Sequence, residues 1–173
     1  MPETKNAAYT ILDVVDGMEG AREYLKKHIV TMQEEYWDAT PFPHCNTARQ
    51  IFAHLIATNR GVLGMLEGEP FELQRHGERH EEAGQEIASK SPTEILALYD
   101  ASGEAIGTFL RTHHGEDALD APLTLWGSEG RLANQLAGLS QETAYHTGQL
   151  SLIRQAIEPN WDYFKDVFGV TGF

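Results

Sequence analysis

Glu142 and His146 stand four residues apart in the run Glu142-Thr143-Ala144-Tyr145-His146-Thr147-Gly148-Gln149-Leu150. On a helix that spacing stacks the two side chains one turn above the other. At about 100° per residue they share the arc of Leu139, Leu150 and Ile153, so the pair faces the protein interior. Taking an ionised carboxylate out of water without compensation costs several kcal/mol, comparable to the stability of a whole domain. Either hydrogen-bonding side chains or a cation must compensate. His54 is the third group of this kind, because it shares a helical stripe with Ile51, Thr58, Val62 and Met65 rather than with Arg49 and Arg60. Two imidazoles and one carboxylate suit Zn²⁺ or Ni²⁺, and also Fe²⁺ or Mn²⁺, with coordination positions left open for water or substrate. The pattern alone leaves two readings: a divalent metal centre, or a hydrogen-bonded polar cluster in the core.

Other residues are weighed around this trio. Gln149 shares the inward face of His146 and is placed to orient that imidazole by a hydrogen bond, as metal ligands commonly require, while Tyr145 lies to the side. Trp37, Phe42 and Trp126 fall in connections that close bundle ends, and two readings stand for all three: lining of a substrate pocket, or plain capping of the core. His76 and His80 are also four apart, but the polar, glycine-containing run His76-Gly77-Glu78-Arg79-His80 reads as a solvated loop rather than a second metal site. His28 and His113 continue apolar stripes near helix ends and read as caps or packing. Cys45 has no basic neighbour in sequence and reads as inert.

Four helices must position these groups. Ile11, Val14, Met18, Ala21 and Leu25 recur at steps of three and four and predict a helix from about Ala7 to His28. A short helical turn is expected between Thr31 and Trp37. Asn46 or Thr47 caps a second helix that ends near Gly68-Glu69-Pro70. Phe71 to Lys90 reads as a long polar connection with at most a short solvated helix around Glu78 to Ile87. Ser91-Pro92-Thr93-Glu94 is a capping box with proline at the first helical position, and the helix it starts ends at His113-His114-Gly115. Leu132, Leu136, Leu139, Leu150, Ile153 and Ile157 define the fourth helix, from about Arg131 to Ile157, before Pro159. Leu123-Thr124-Leu125 is at most a lone extended piece.

Composition narrows the function classes. The 173 residues fit one domain with a sizeable core, and 41% hydrophobic with 23% charged residues is globular usage. Thirteen Lys and Arg against 26 Asp and Glu give a net charge of −13, a field that repels phosphate backbones and anionic lipid headgroups. Neither nucleic acid nor membrane is therefore expected as a partner; a small-molecule substrate is. With one cysteine, no export-type start and no run of about 18 apolar residues, a soluble cytoplasmic protein is the expectation. Apolar residues around Phe164, Val167 and Phe168 are a candidate homodimer contact.

The Glu142 to Leu150 run, together with Ile51-Phe52-Ala53-His54-Leu55, resembles the DinB/YfiT-like superfamily of metal-dependent enzymes over essentially the whole chain. The resemblance implies an all-α four-helix bundle of the DinB/YfiT-like kind with long inter-helix connections. It also implies a divalent metal held by His54 and by a pair on the last helix, ahead of Gly148-Gln149-Leu150. Glu142 stands where the family's commoner pattern has histidine. In this it is similar to the mycothiol-dependent maleylpyruvate isomerases of the same superfamily, which use a His, Glu, His set. The implied activity is a transferase or isomerase with a low-molecular-weight thiol as cosubstrate; metal-dependent hydrolysis and a non-enzymatic, stress-associated metal-binding bundle are the alternatives. Replacing an imidazole by a carboxylate lowers the charge of the centre by one, which favours holding a thiolate or carboxylate over acidifying water. A metal-bound water titrating near or below pH ~7 would overturn that expectation.

Overall fold

A computed structural model describes residues 9–115 and 118–171 of the chain. Six α-helices and one β-hairpin are present among the described residues. Helix α1 spans Ile11–Lys27, α2 Ala48–Leu66, α4 Pro92–His113 and α5 Leu132–Ile157, and these four long helices form the bundle. α1 packs on α4 and α5, and α2 packs on the same two, so α1 and α2 stand diagonally across the bundle. The expected start of the first helix at Ala7 lies outside the described residues.

Local sequence sets the boundaries. The Thr10 backbone N–H and hydroxyl both donate to the Asp13 carboxylate ahead of α1. At α2 the Thr47 hydroxyl accepts from the backbone of Gln50, whose side chain accepts in return from the Thr47 N–H at 2.9 Å. Ser91 and Glu94 make the same reciprocal pair at α4, with Pro92 at the first position, where its missing N–H costs nothing. The turn expected between Thr31 and Trp37 is a 3₁₀ helix at Glu34–Tyr36.

Three segments depart from the sequence reading. Phe71 to Lys90 is not mainly a connection: Leu73–Ile87 forms a 15-residue helix, α3, packed against α2. Its fully buried residues are only Ala83 and Ile87. The two preceding positions of the same stripe are His80 and His76, whose polar tips conceal the helical period. Leu123-Thr124-Leu125 is not a lone piece but part of β1 (Pro122–Leu125), paired antiparallel with β2 (Ser128–Arg131). The hairpin turns through Trp126 and Gly127, both with positive φ (55° and 73°), the twist that a two-residue turn requires. Finally, α6 (Tyr163–Phe168) follows α5, starting at the Asp162 cap and ending at Gly169 in the left-handed region. Within α6, Val167 is buried, unlike the surface position expected for it, whereas Phe164 and Phe168 are about half exposed.

The core divides in two. One apolar cluster gathers Leu25, Phe52, Leu55, Tyr99, Leu150 and Ile153, and the other Ile11, Val62, Met65, Ile106, Leu136 and Leu139. Between them, every long helix turns polar at the same height: Arg22 on α1, Thr58 and Asn59 on α2, Ser102 on α4, and Glu142, Thr143 and His146 on α5. The waist is tied by hydrogen bonds. Asn59 Nδ2 donates to Ser102 Oγ at 3.0 Å, Ser102 Oγ donates to the Tyr99 carbonyl at 2.7 Å, and Arg22 pairs with Asp100 at 3.4 Å. Gly103 lies against the Arg22 guanidinium, where a side-chain carbon would displace it.

At the far end of α5, Arg154 is fully buried, donating to Glu158 at 2.6 Å and to the carbonyl of His28 at 2.9 Å. His28 is itself buried and donates from Nδ1 to the Tyr24 carbonyl at 2.8 Å. Burial, opposed by that hydrogen bond and aided by the Arg154 charge, holds its pKa below the ordinary histidine value. Between the folded and unfolded pKa values the unfolded chain binds the additional proton, so this contribution to stability is present at neutral pH and is lost as pH falls through the unfolded value near 6.5. Metal-free protein unfolded by urea at a series of pH values should lose stability from about pH 7 toward 5, by at most about 1.4 kcal/mol per pH unit for this one group. His28→Gln should flatten that limb; an unchanged slope would remove His28 from it.

Candidate metal centre

Helix α2 contributes His54 and α5 contributes Glu142 and His146, and one nitrogen or oxygen of each lies within 4.8 Å of the others. A single oxygen, Glu142 Oε1, is 2.8 Å from His54 Nε2 and 3.0 Å from His146 Nε2. The structure thus brings together three residues that are remote in sequence. His146 is almost fully buried, whereas the side chains of Glu142 and His54 are 39% and 33% exposed. Glu142 is more open than its place on the apolar stripe implied. One turn earlier on α5, Gly138 has no side chain to cover it, and the space opens into a cavity of about 360 Å³.

Proton positions follow from the partners of His146. Its Nδ1 lies 2.7 Å from Gln149 Oε1, and Gln149 Nε2 donates to the Tyr145 hydroxyl at 2.9 Å, so the amide presents its oxygen to the imidazole. A neutral His146 therefore carries its hydrogen on Nδ1 and aims the lone pair of Nε2 at a carboxylate oxygen. Two acceptors 3.0 Å apart repel unless a cation lies between or beside them. A divalent ion satisfies this arrangement, as does an additional proton. Burial alone would raise the Glu142 pKa, but hydrogen bonds from the two imidazoles, where the facing Nε2 atoms carry hydrogen, outweigh it and hold the carboxyl below its usual range. The trio thus presents an ionised oxygen and two nitrogen donors, a set suited to a divalent transition metal.

The cavity is lined by His54, Thr58 and Leu139, by the amides of Asn134 and Gln135, and by His76 and Trp126, with Glu142 and Gly138 on the α5 side. Trp126 accordingly faces the candidate site. Phe42 does not: it is 54% exposed in the loop before α2, between Pro41 and Pro43. Trp37 is fully buried and stacks on Phe52 at 5.3 Å, as core. His113 stacks on Phe109 at the exposed end of α4, and the half-buried Cys45 thiol donates to the neighbouring Asn46 carbonyl at 3.5 Å and packs against the core.

His76 and His80 correct the sequence reading most directly. They are not in a solvated loop: on α3, the His80 ring stacks on His54 with centroids 4.9 Å apart, and His76 sits against Trp126 at 5.1 Å. Burial first, then the nearby His54 and His76, push the His80 pKa down to about 4, and burial lowers that of His76 as well. The signal was present in the spacing of His76, His80, Ala83 and Ile87, one continuous stripe at steps of four, three and four.

Gln149 holds one imidazole through a hydrogen bond, and the loss of such a partner weakens metal binding by roughly 10–100-fold. Gln149→Leu should show that loss in competition with a chromophoric chelator, while Gln149→Glu retains the acceptor and most of the affinity. Equal affinity in wild type and Gln149→Leu would deny the amide any orienting role.

Solved structures share the fold at low identity. The mycothiol-dependent maleylpyruvate isomerase superposes with a TM-score of 0.65 at 13% identity, over 81% of this chain and 60% of the isomerase, so this chain spans about three fifths of that protein's length. YfiT from Bacillus subtilis, described as a probable metal-dependent hydrolase with an unusual four-helix bundle topology, gives 0.66 at 14% identity over 94% of both chains. A Streptococcus pneumoniae protein gives 0.69 at 12% identity, over 88% of this chain and 94% of that one. No curated protein gives a significant sequence match. Among the described residues, no helix is long and apolar enough to cross a membrane. The model of the DinB superfamily matches residues 18–150, a span that contains all three converging side chains, and this chain belongs to that superfamily.

Proposed function

We propose that this chain is a metal-dependent enzyme acting on a small molecule, with His54, Glu142 and His146 as ligands of a divalent ion and a low-molecular-weight thiol as cosubstrate. The observation that carries the reading is the shared Glu142 oxygen, 2.8 and 3.0 Å from two imidazole nitrogens, at the wall of an open cavity. A divalent ion bound there supplies Lewis acidity, holding a thiol in its anionic form. The protein's own residues supply the rest. The two imidazoles and the carboxylate fix the ion on rigid helices, and Gln149 keeps the Nε2 lone pair of His146 directed inward. Asn134 and Gln135 offer neutral hydrogen-bonding groups, and Trp126 with His76, edge to face at 69°, gives an aromatic corner for an apolar portion of the substrate. No lysine or arginine lines the cavity among the described residues, so an anionic ligand would owe its attraction to the ion. The fold likeness to a mycothiol-dependent isomerase supports the thiol reading.

Hydrolysis is the second reading, favoured by the YfiT comparison, which extends over 94% of both chains. The two readings differ in what turnover requires. Protein purified without added metal should carry about one equivalent of a divalent ion by elemental analysis, lost in His146→Ala; equal content in both would remove His146 from the centre. The loaded protein should form thioethers from a panel of low-molecular-weight thiols and an electrophilic acceptor. Ester or amide cleavage without thiol would favour the hydrolase. Inactivity in both assays, with no exchangeable water on the ion, would leave a structural metal site.

A further inference from the structure

The stripe of α3 that faces the bundle ends in an imidazole pair that the proposed centre does not use. His76 Nε2 and His80 Nε2 are 3.2 Å apart. With metal–nitrogen bonds of about 2.0–2.1 Å, two donors at that separation subtend about 100° at a shared ion, close to the tetrahedral angle and within reach of octahedral geometry. Spacing of i and i+4 on a helix is a standard source of such a bite. Both rings are also held in place: His80 lies on His54 with an interplanar angle of 24°, and His76 is bordered by Phe71 at 5.9 Å and Trp126 at 5.1 Å. Little side-chain freedom remains to be lost on binding. The neighbouring cation, Arg79, is engaged by Glu69.

We infer that His76 and His80 form a second divalent-metal site, chelating through their two Nε2 atoms at the α3 wall of the cavity that Glu142 and His54 also line. It stands independently of the first centre, since no ligand is shared. Its affinity is the lower of the two, for two reasons. The Nδ1 atom of His76 is buried without a hydrogen-bond partner, so in the free pair His76 keeps its hydrogen on Nε2 and donates to His80. Chelation must move that hydrogen to a buried Nδ1 that has no acceptor to receive it. The site also has two protein donors and no carboxylate, leaving its other positions to water or to substrate groups in the cavity. Through His76, which lines that cavity, the second ion would sit where a ligand on the first could meet it.

Chelator-stripped protein titrated with Ni²⁺ or Zn²⁺ in a calorimeter tests this. Wild type should bind two equivalents in separable phases, the second at least about tenfold weaker. His76→Gln/His80→Gln should keep the tight phase and lose the weak one, and His146→Ala should do the reverse. In the wild type, ring-nitrogen NMR should show the Nε2 signals of His76 and His80 moving with Zn²⁺ only beyond the first equivalent. Saturation at one equivalent, a second phase that survives the double substitution unchanged, or ring signals that stay fixed through the second equivalent would each overturn the proposal. The NMR arm decides even where the double variant folds poorly. Loss of the tight phase alone would instead count against the first centre.

Discussion

One carboxylate oxygen faced by two imidazole nitrogens sets the terms for this fold. Several other polar groups of the bundle waist are hydrogen-bonded: Thr147 donates to the Thr143 carbonyl at 2.8 Å, Thr143 to that of Leu139 at 3.0 Å, and Asn59 to Ser102. A buried polar group that is hydrogen-bonded costs little, so those residues are stable in place. The Glu142, His54 and His146 contact differs because His146 spends its hydrogen on Gln149 and meets the carboxylate with a lone pair. Positive charge is what that point lacks. The two apolar clusters above and below hold the four helices rigidly enough that the acceptors cannot move apart to relieve the repulsion.

The division of labour between elements is uneven. The three converging donors come from long helices, whose geometry is over-determined by packing on both sides of the waist. Most of the cavity wall comes from α2 and α5, and two pieces outside the long helices complete it: α3 provides His76, and the hairpin tip provides Trp126. Such a scaffold keeps the centre constant while the walls can change, since α3 packs mainly on α2 and the hairpin is only two strands.

Much of the frame was legible in the sequence because its signals are local. Capping at Thr47 and Ser91 and the periodic stripes located three of the long helices to within a residue or two, and the inward phase of His54 pointed correctly across the bundle to Glu142 and His146. What was not legible depended on tertiary context. Helix α3 hides its apolar face behind histidines, which read as polar until their rings are seen stacked on His54 and Trp126. The exposure of Glu142 could not be read from its phase, because Gly138 opens a cavity that periodicity treats as filled space. Phe42 and Trp126 looked alike as aromatic residues in connections; only the fold separates an exposed loop from a hairpin tip folded over the cavity.

Trp126 holds a backbone conformation that bulky residues enter only at a cost, of order 1–2 kcal/mol, in a turn where asparagine or glycine would be at ease. Its ring rests over Gly61 and against Phe71 and His76. The chain has therefore kept the less comfortable residue at the position where a relaxed hairpin would leave that wall bare. Any attempt to make this protein sturdier by giving the turn the sequence it prefers would trade local ease for a wider and less selective mouth.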